Sequence, residues 1–343
     1  MAPSKQLAPN TAPYFPKIFI ETQFRSKQPP TPHTNLSGHV AIVTGANTGL
    51  GLEAAKQLLA LHLSHLVIAV RSAAKGEAAA EALRKDYGDA KITVWLLDMS
   101  SYESIQSFAE RAMEQLTRLD IVILNAGIMK LKFDTNPTTG HEEMVQINYL
   151  STVLLALLMI PVLKQNNAGR TTPGRLTISN ASLALGAKFP NKNKSPLLAS
   201  FDDAAQFETT EQYSASKLLA HLFLWELVEH VPDTDVIVNL ADPGFVKGTE
   251  FGRDQSGARA VAAKVLGAIA GRDHVAGAST YVDAAVVKGR ESHGCFLMSW
   301  DIKPFAAVCY TPEGKQASKR LWEETLKELE FAGVREIIDG KGL

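Results

Sequence analysis

Cysteine is nearly absent from this chain. Cys295 and Cys309 stand alone among 343 residues, too few for a disulfide framework, so a reducing compartment, cytoplasmic by default, is expected. Neither sign of charge is in excess, with 35 Lys and Arg against 36 Asp and Glu. That balance lacks the positive field that nucleic-acid binding requires. The nine histidines include no H-x-x-x-H pair and no cysteine partner at ligand spacing, so no metal is expected. Long hydrophobic runs are missing too. The longest, Val153 to Ile160, is read as stopping at Pro161, well short of the roughly 20 residues of a membrane span. It reads as a helix buried in a core or a subunit interface.

Proline is plentiful at one end only, at positions 3, 9, 13, 16, 29, 30 and 32. Residues 1–35 read as a Pro-rich extension lying on the surface of the domain. No continuous apolar stretch follows the start, which argues against a secretory signal. The first acid is Glu21, so an organelle presequence stays open as the alternative.

Beyond residue 35, short apolar runs alternate with helical periodicity. Strands are expected at 40–43, 66–70, 92–97, 121–124, 175–179, 236–240 and 294–298. Helices are expected at 50–63, 73–87, 105–117, 141–163, 213–230 and 314–330. Such apolar strands imply a parallel sheet covered on both faces. The pattern predicts one doubly wound α/β domain of the Rossmann type over 36–335, with a mostly parallel seven-stranded sheet and a tail at 336–343. Irregular segments at 184–210 and 245–275 follow strand ends, where open α/β sheets bind ligands. Phe189, Leu197, Leu198, Phe201, Phe245 and Phe251 in them suggest an apolar pocket, or else a cover for the core.

Two motifs carry chemistry. Thr44-Gly45-Ala46-Asn47-Thr48-Gly49-Leu50-Gly51 lies between a strand and a helix, where glycines let backbone N–H groups approach a phosphate. Gly45 suits a tight turn, and Gly49 and Gly51 suit close approach. Far downstream, Tyr213 and Lys217 are four residues apart and share a helix face. An ammonium beside a phenol favours the phenolate and is expected to lower the tyrosine pKa.

This glycine spacing differs from G-x-G-x-x-G and resembles that of the short-chain dehydrogenase/reductase family. The resemblance implies an NAD(P)-dependent oxidoreductase acting on CH–OH or C=O groups. Tyr213 is then the general acid, Lys217 its partner and the holder of the nicotinamide ribose, and Ser182 the hydroxyl that bonds the substrate oxygen. Asn148 would hold a water in the proton relay. The cofactor would lie on Gly45, Asn47, Thr48, Gly49, Leu50 and Gly51, with Asp98 at the adenine edge and Asn125 and Gly127 beside the adenosine ribose. Pro243, Gly244 and Val246 would flank the nicotinamide, where Thr249 is displaced by one residue from the usual pattern. Asp98 could instead serve only the helix that follows it.

Arg71 ends the second strand, twenty residues past Gly51, with Lys75 close behind. A guanidinium there pairs with a 2′-phosphate, where a carboxylate would repel it, so NADP(H) is expected. Ala69-Val70-Arg71-Ser72 and Leu321-Trp322-Glu323-Glu324 resemble the retinol-dehydrogenase-like branch. The long loops and Pro-rich start resemble fungal biosynthetic members. Together these imply NADPH-dependent reduction of a largely apolar ketone or aldehyde, or the reverse oxidation, in secondary metabolism. A non-redox isomerase, dehydratase or cyclase on the same fold, or an NADP(H) sensor, are the rival readings. Helices 141–163 and 213–230 pair subunits in many relatives, and equally suit a monomer's core.

Overall fold

The computed structural model describes residues 3–24, 32–165, 172–248 and 267–340. Seven parallel strands form where the sequence has its apolar runs. They are β1 (Val40–Thr44), β2 (His65–Val70), β3 (Lys91–Leu96), β4 (Ile121–Leu124), β5 (Gly174–Ser179), β6 (Val236–Asp242) and β7 (Cys295–Met298). The helices are α1 (Phe19–Phe24), α2 (Gly49–Ala60), α3 (Ala73–Asp86), α4 (Tyr102–Gln115), α5 (Glu143–Gln165), α6 (Thr209–Leu227), α7 (His274–Val282), α8 (Pro312–Glu328) and α9 (Val334–Ile338).

Side chains alternate across the sheet, so each face has its own core. Ile42, Val67 and Val122 pack with α4, α5, α6 and α8, whereas Val43, Ile68 and Ile123 pack with α2, α3 and α7. Each such residue, fully buried, stabilises the fold by about 1.5–3 kcal/mol before entropy is counted. The sheet order is β3-β2-β1-β4-β5-β6-β7-β8. The chain therefore reverses its direction of winding between β1 and β4, and a crevice opens at their carboxyl ends.

The eighth strand, β8 (Asp301–Lys303), pairs antiparallel with β7 and adds one to the seven expected. Its turn puts Ser299 and Trp300 at φ 54° and 61°, a conformation usually left to Gly, Asn or Asp in two-residue hairpins. Distant partners hold it. Arg272 Nη2 donates to Ser299 Oγ at 2.7 Å, its guanidinium lies 4.8 Å from the Trp300 ring centroid, and Trp300 Nε1 donates to Ser279 Oγ at 3.1 Å.

Pro161 does not stop α5, which continues to Gln165. The proline omits one N–H near the helix end, and the surrounding core outweighs that loss. The 23-residue helix is therefore long and apolar enough to cross a membrane, yet 89% of its most apolar window is buried within the fold. Its apolar surface meets α4 and α9, while α6 packs against α8. Both helices, which the sequence placed either at a subunit interface or in a monomer's core, bury most of their residues within their own chain.

The extension is not simply laid on the surface. Ser4, Ile18, Phe19 and Thr22 are buried. Ser4 Oγ donates to Lys303 O at 2.6 Å and accepts from Phe296 N at 2.9 Å, and Asn10 forms a β-bridge with Ala306.

Candidate active site

The glycine turn sits at the carboxyl end of β1. Gly45 adopts φ +65°. A Cβ on Gly51 would come within 2.6 Å of the Gly45 oxygen and 2.5 Å of Asn125 Nδ2, so only glycine lets the turn close. Thr44 ties this turn to the end of β4: its Oγ1 accepts from the N–H groups of Asn125 and Ala126, both at 3.0 Å, and its carbonyl accepts from Asn125 Nδ2 at 3.0 Å. The Asn125 side chain therefore braces the turn. Thr48 begins α2 without a side-chain cap, whereas Ser72 and Ser101 cap the next two helices. Backbone donors in the first turn of α2 thus stand at the crevice where a dinucleotide phosphate would fit.

Arg71, just past the end of β2, and Lys75, in the first turn of α3, are exposed and make no ion pair among the described residues. Asp98 Oδ1 accepts from Ser100 N at 2.9 Å and Ser100 Oγ at 2.7 Å, so it shapes the turn, and Ser101 takes the cap of α4. Val246 is buried, pairs with Arg272 in a short parallel bridge, and reaches Gly277 of α7 alongside Leu50. Pro243 and Gly244 (φ +77°) precede it, and the Arg272 guanidinium lies where a Gly244 side chain would be. Arg272 Nη1 donates to Pro243 O at 3.2 Å. Thr249 and Phe251 lie outside the described residues, as does much of 245–275.

Tyr213 and Lys217 are on α6 and are almost fully buried. Lys217 Nζ donates to the Ser179 carbonyl at 3.1 Å and stands 6.0 Å from the Tyr213 ring centroid. Burial holds the lysine down to about 8. The tyrosine departs from expectation. Burial first, then the company of Tyr281, Asp242 and Tyr14, pushes its phenol well above the ordinary range. Desolvation outweighs the ammonium at this separation, so the phenol stays protonated. An alkoxide forming beside it is the stronger base and would still take its proton.

Ser182 opens a short 3₁₀ turn (Ser182–Gly186) after β5. Its N–H donates to Asp242 Oδ1 at 2.9 Å, and its Oγ lies 3.2 Å from the Tyr14 hydroxyl. Ser179 ends the strand with its hydroxyl 2.7 Å from that of Tyr281. Asn148 lies in a π-turn (Gln146–Ser151) within α5, an irregularity frequent at functional sites. Its amide is spent on the Ile128 backbone in both directions (2.8 and 2.9 Å) and on Ser216 Oγ at 3.1 Å. A Cβ on Gly127 would lie 3.0 Å from Asn148 Oδ1 and 3.6 Å from Lys217 Nζ. The missing side chain leaves room between them.

Phe189, Leu197, Leu198 and Phe201 are core residues. All are at most 4% exposed, and Glu324 of α8 accepts from the N–H groups of Leu197 and Leu198 at 2.8 Å each. Sequence reasoning missed Tyr14, Asp242 and Arg272. Asp242 had one signal, its place directly before Pro243-Gly244. It is 2% exposed, burial raises its pKa, and Oδ2 has no partner among the described residues.

Comparison with known proteins agrees with this geometry. A family model described as short chain dehydrogenase matches residues 39–172. Short chain dehydrogenase/reductase mfmJ of Annulohypoxylon moriforme is 59% identical over 340 residues, covering 99% of this chain and 98% of that protein. Short chain dehydrogenase virL of Hypocrea virens is 42% identical, covering 94% of each. Among solved structures, an NADPH-bound short chain oxidoreductase from Pseudomonas aeruginosa PAO1 shares the fold with a TM-score of 0.58 at 20% identity, covering 77% of this chain and 96% of that one. With a β1–β4 crevice, a glycine turn and matches along nearly its whole length, the chain belongs to the short-chain dehydrogenase/reductase family, oxidoreductases that bind NAD(P) and act on small molecules.

Proposed function

We propose that this enzyme reduces the carbonyl of a largely apolar small molecule with NADPH, or oxidises the corresponding alcohol, in a cytoplasmic, biosynthetic setting. The observation that carries the reading is Lys217. It is 5% exposed, spends one N–H on Ser179 and meets no carboxylate among the described residues. A buried ammonium without a counter-ion is costly. Its unspent donors, beside the space left by Gly127, suit the hydroxyls of a nicotinamide ribose.

The glycine turn and the first turn of α2 would hold the pyrophosphate. Arg71 and Lys75 support NADP(H), because two exposed cations follow β2, where a guanidinium suits a 2′-phosphate. Asp98, in the turn after β3, and Asn125, bracing the glycine turn, would lie along the adenosine half. When bound, the dinucleotide supplies the hydride. Tyr213 then gives its proton to the substrate oxygen, and Ser182 donates a hydrogen bond to the same oxygen as charge develops there. With the Asn148 amide already spent, any water beside Lys217 would rest on main chain loosened by the π-turn. The rings of Tyr14, Phe19 and Phe245, in sequence 6.4 and 6.1 Å apart, support an apolar, aromatic substrate wall.

The test is NADPH consumption with mass analysis of products, for the wild-type protein and Tyr213→Phe. Turnover should give a product with two added hydrogens and fall by roughly 10²–10⁴-fold in the variant, with NADPH binding retained. A product of unchanged mass formed without NADPH oxidation would instead establish the non-redox reading.

A further inference from the structure

The N-terminal segment is fixed at both ends of its path across the molecule. Ser4 is tied to β7 and β8, and at the other end Thr22 O accepts from Arg272 Nη2 at 2.7 Å. Ile18, 1% exposed, is embedded in the core between them. These anchors set Tyr14 against the backbone of Gly186, where a Cβ would come within 2.8 Å of Tyr14 Cβ. From there the phenol reaches Ser182 Oγ at 3.2 Å.

The Ser182 hydroxyl has one hydrogen to give. If it pointed at Tyr14, it would be lost to a substrate carbonyl. A phenol is the more acidic of the two hydroxyls and so the better donor. Burial pushes the Tyr14 phenol up to about 12, which keeps its proton in place through the neutral range. Tyr14 donating into Ser182 Oγ keeps the serine hydrogen from being spent on Tyr14. A substrate oxygen then has to compete for it only with the Asp242 carboxylate that the serine side chain also meets, and the chain of two bonds strengthens each. The serine backbone is already pinned by Asp242, whose Oδ1 takes the Ser182 N–H.

We propose that Tyr14 is a positioning residue for the reaction, orienting the Ser182 hydroxyl toward the substrate oxygen, and that the N-terminal extension is thereby part of the active site. The inference rests on the carbonyl-reductase reading above.

Tyr14→Phe keeps the ring on Gly186 and removes only the hydroxyl. With phenanthrenequinone as an aromatic probe, kcat should fall about tenfold, the worth of one hydrogen bond. The melting temperature and the NADPH dissociation constant, read by fluorescence, should not change. Ser182→Ala should lose about a hundredfold, and the double variant should lose no more than Ser182→Ala alone. Unchanged kcat in Tyr14→Phe, or losses that multiply in the double variant, would overturn the assignment. Tyr213→Phe separates the two levels of the argument. Turnover that survives it defeats the functional reading itself, whereas turnover abolished there but intact in Tyr14→Phe defeats Tyr14 alone.

Discussion

Lys217 Nζ lies 3.1 Å from the carbonyl oxygen of Ser179, and that dipole is its one hydrogen-bond partner among the described residues. The charge is held at a cost to the fold. Burial lowers its pKa from the ordinary 10.5 to about 8. At neutral pH the lysine is charged both folded and unfolded, so the folded state bears the full penalty. Between about 8 and 10.5 the unfolded chain binds the extra proton, and stability rises with pH across that window. Lys217→Met should therefore abolish turnover while raising the melting temperature at neutral pH by a few degrees, and should flatten the rise above pH 8. Thermal melts across pH check this; a less stable variant at neutral pH would mean that the ammonium holds the site together.

Arg71 and Lys75 act at the other end of the crevice. Both are exposed, and under the proposed NADP(H) reading they bear on cofactor choice rather than on stability. Arg71→Asp should lower the ratio of kcat/KM for NADPH over NADH by at least about tenfold, since it replaces a phosphate partner with a repelling carboxylate. Steady-state kinetics with both cofactors measure it. An unchanged ratio would remove Arg71 from the recognition of the 2′-phosphate.

Much of this architecture was legible locally. Runs such as Val40–Thr44 and Ile121–Leu124 are apolar on both faces, and the glycine turn and the Tyr213–Lys217 spacing each lie within a few residues. What escaped depends on partners far along the chain. Ser299 and Trp300 make a hairpin without glycine because Arg272 and Ser279 hold them. Pro161 continues a helix because its surroundings outweigh one lost hydrogen bond. Tyr14 is 168 residues from the serine it meets, and a Pro-rich composition says nothing of such a contact. Phe189 and Phe201 could line a pocket or a core by composition alone; α8 decides for the core. The tyrosine pKa departs from the sequence expectation for a related reason: spacing shows that an ammonium is near, but not how completely the phenol is desolvated.

His141 offers a test of the frame behind the site. Its Nδ1 lies 2.9 Å from Asp202 Oδ2 and its Nε2 lies 3.6 Å from Glu328 Oε1, joining the approach to α5, the 198–206 loop and α8. Hydrogen bonds donated to Asp202 and then to Glu328 raise its pKa to about 9, against an ordinary 6.5. A raised folded pKa means that the pairing contributes fully below about pH 6.5 and is lost as pH climbs through 9. The side chain is partly solvated, which reduces the contribution to roughly 1–2 kcal/mol. His141→Gln should therefore destabilise most at pH 6 and little at pH 9.5, and the difference in melting temperature between the two proteins should close across that interval. A constant difference would mean that His141 matters through packing alone. A difference that widens with pH would mean that the ring is neutral in the folded protein, with the two carboxylates protonated or facing water.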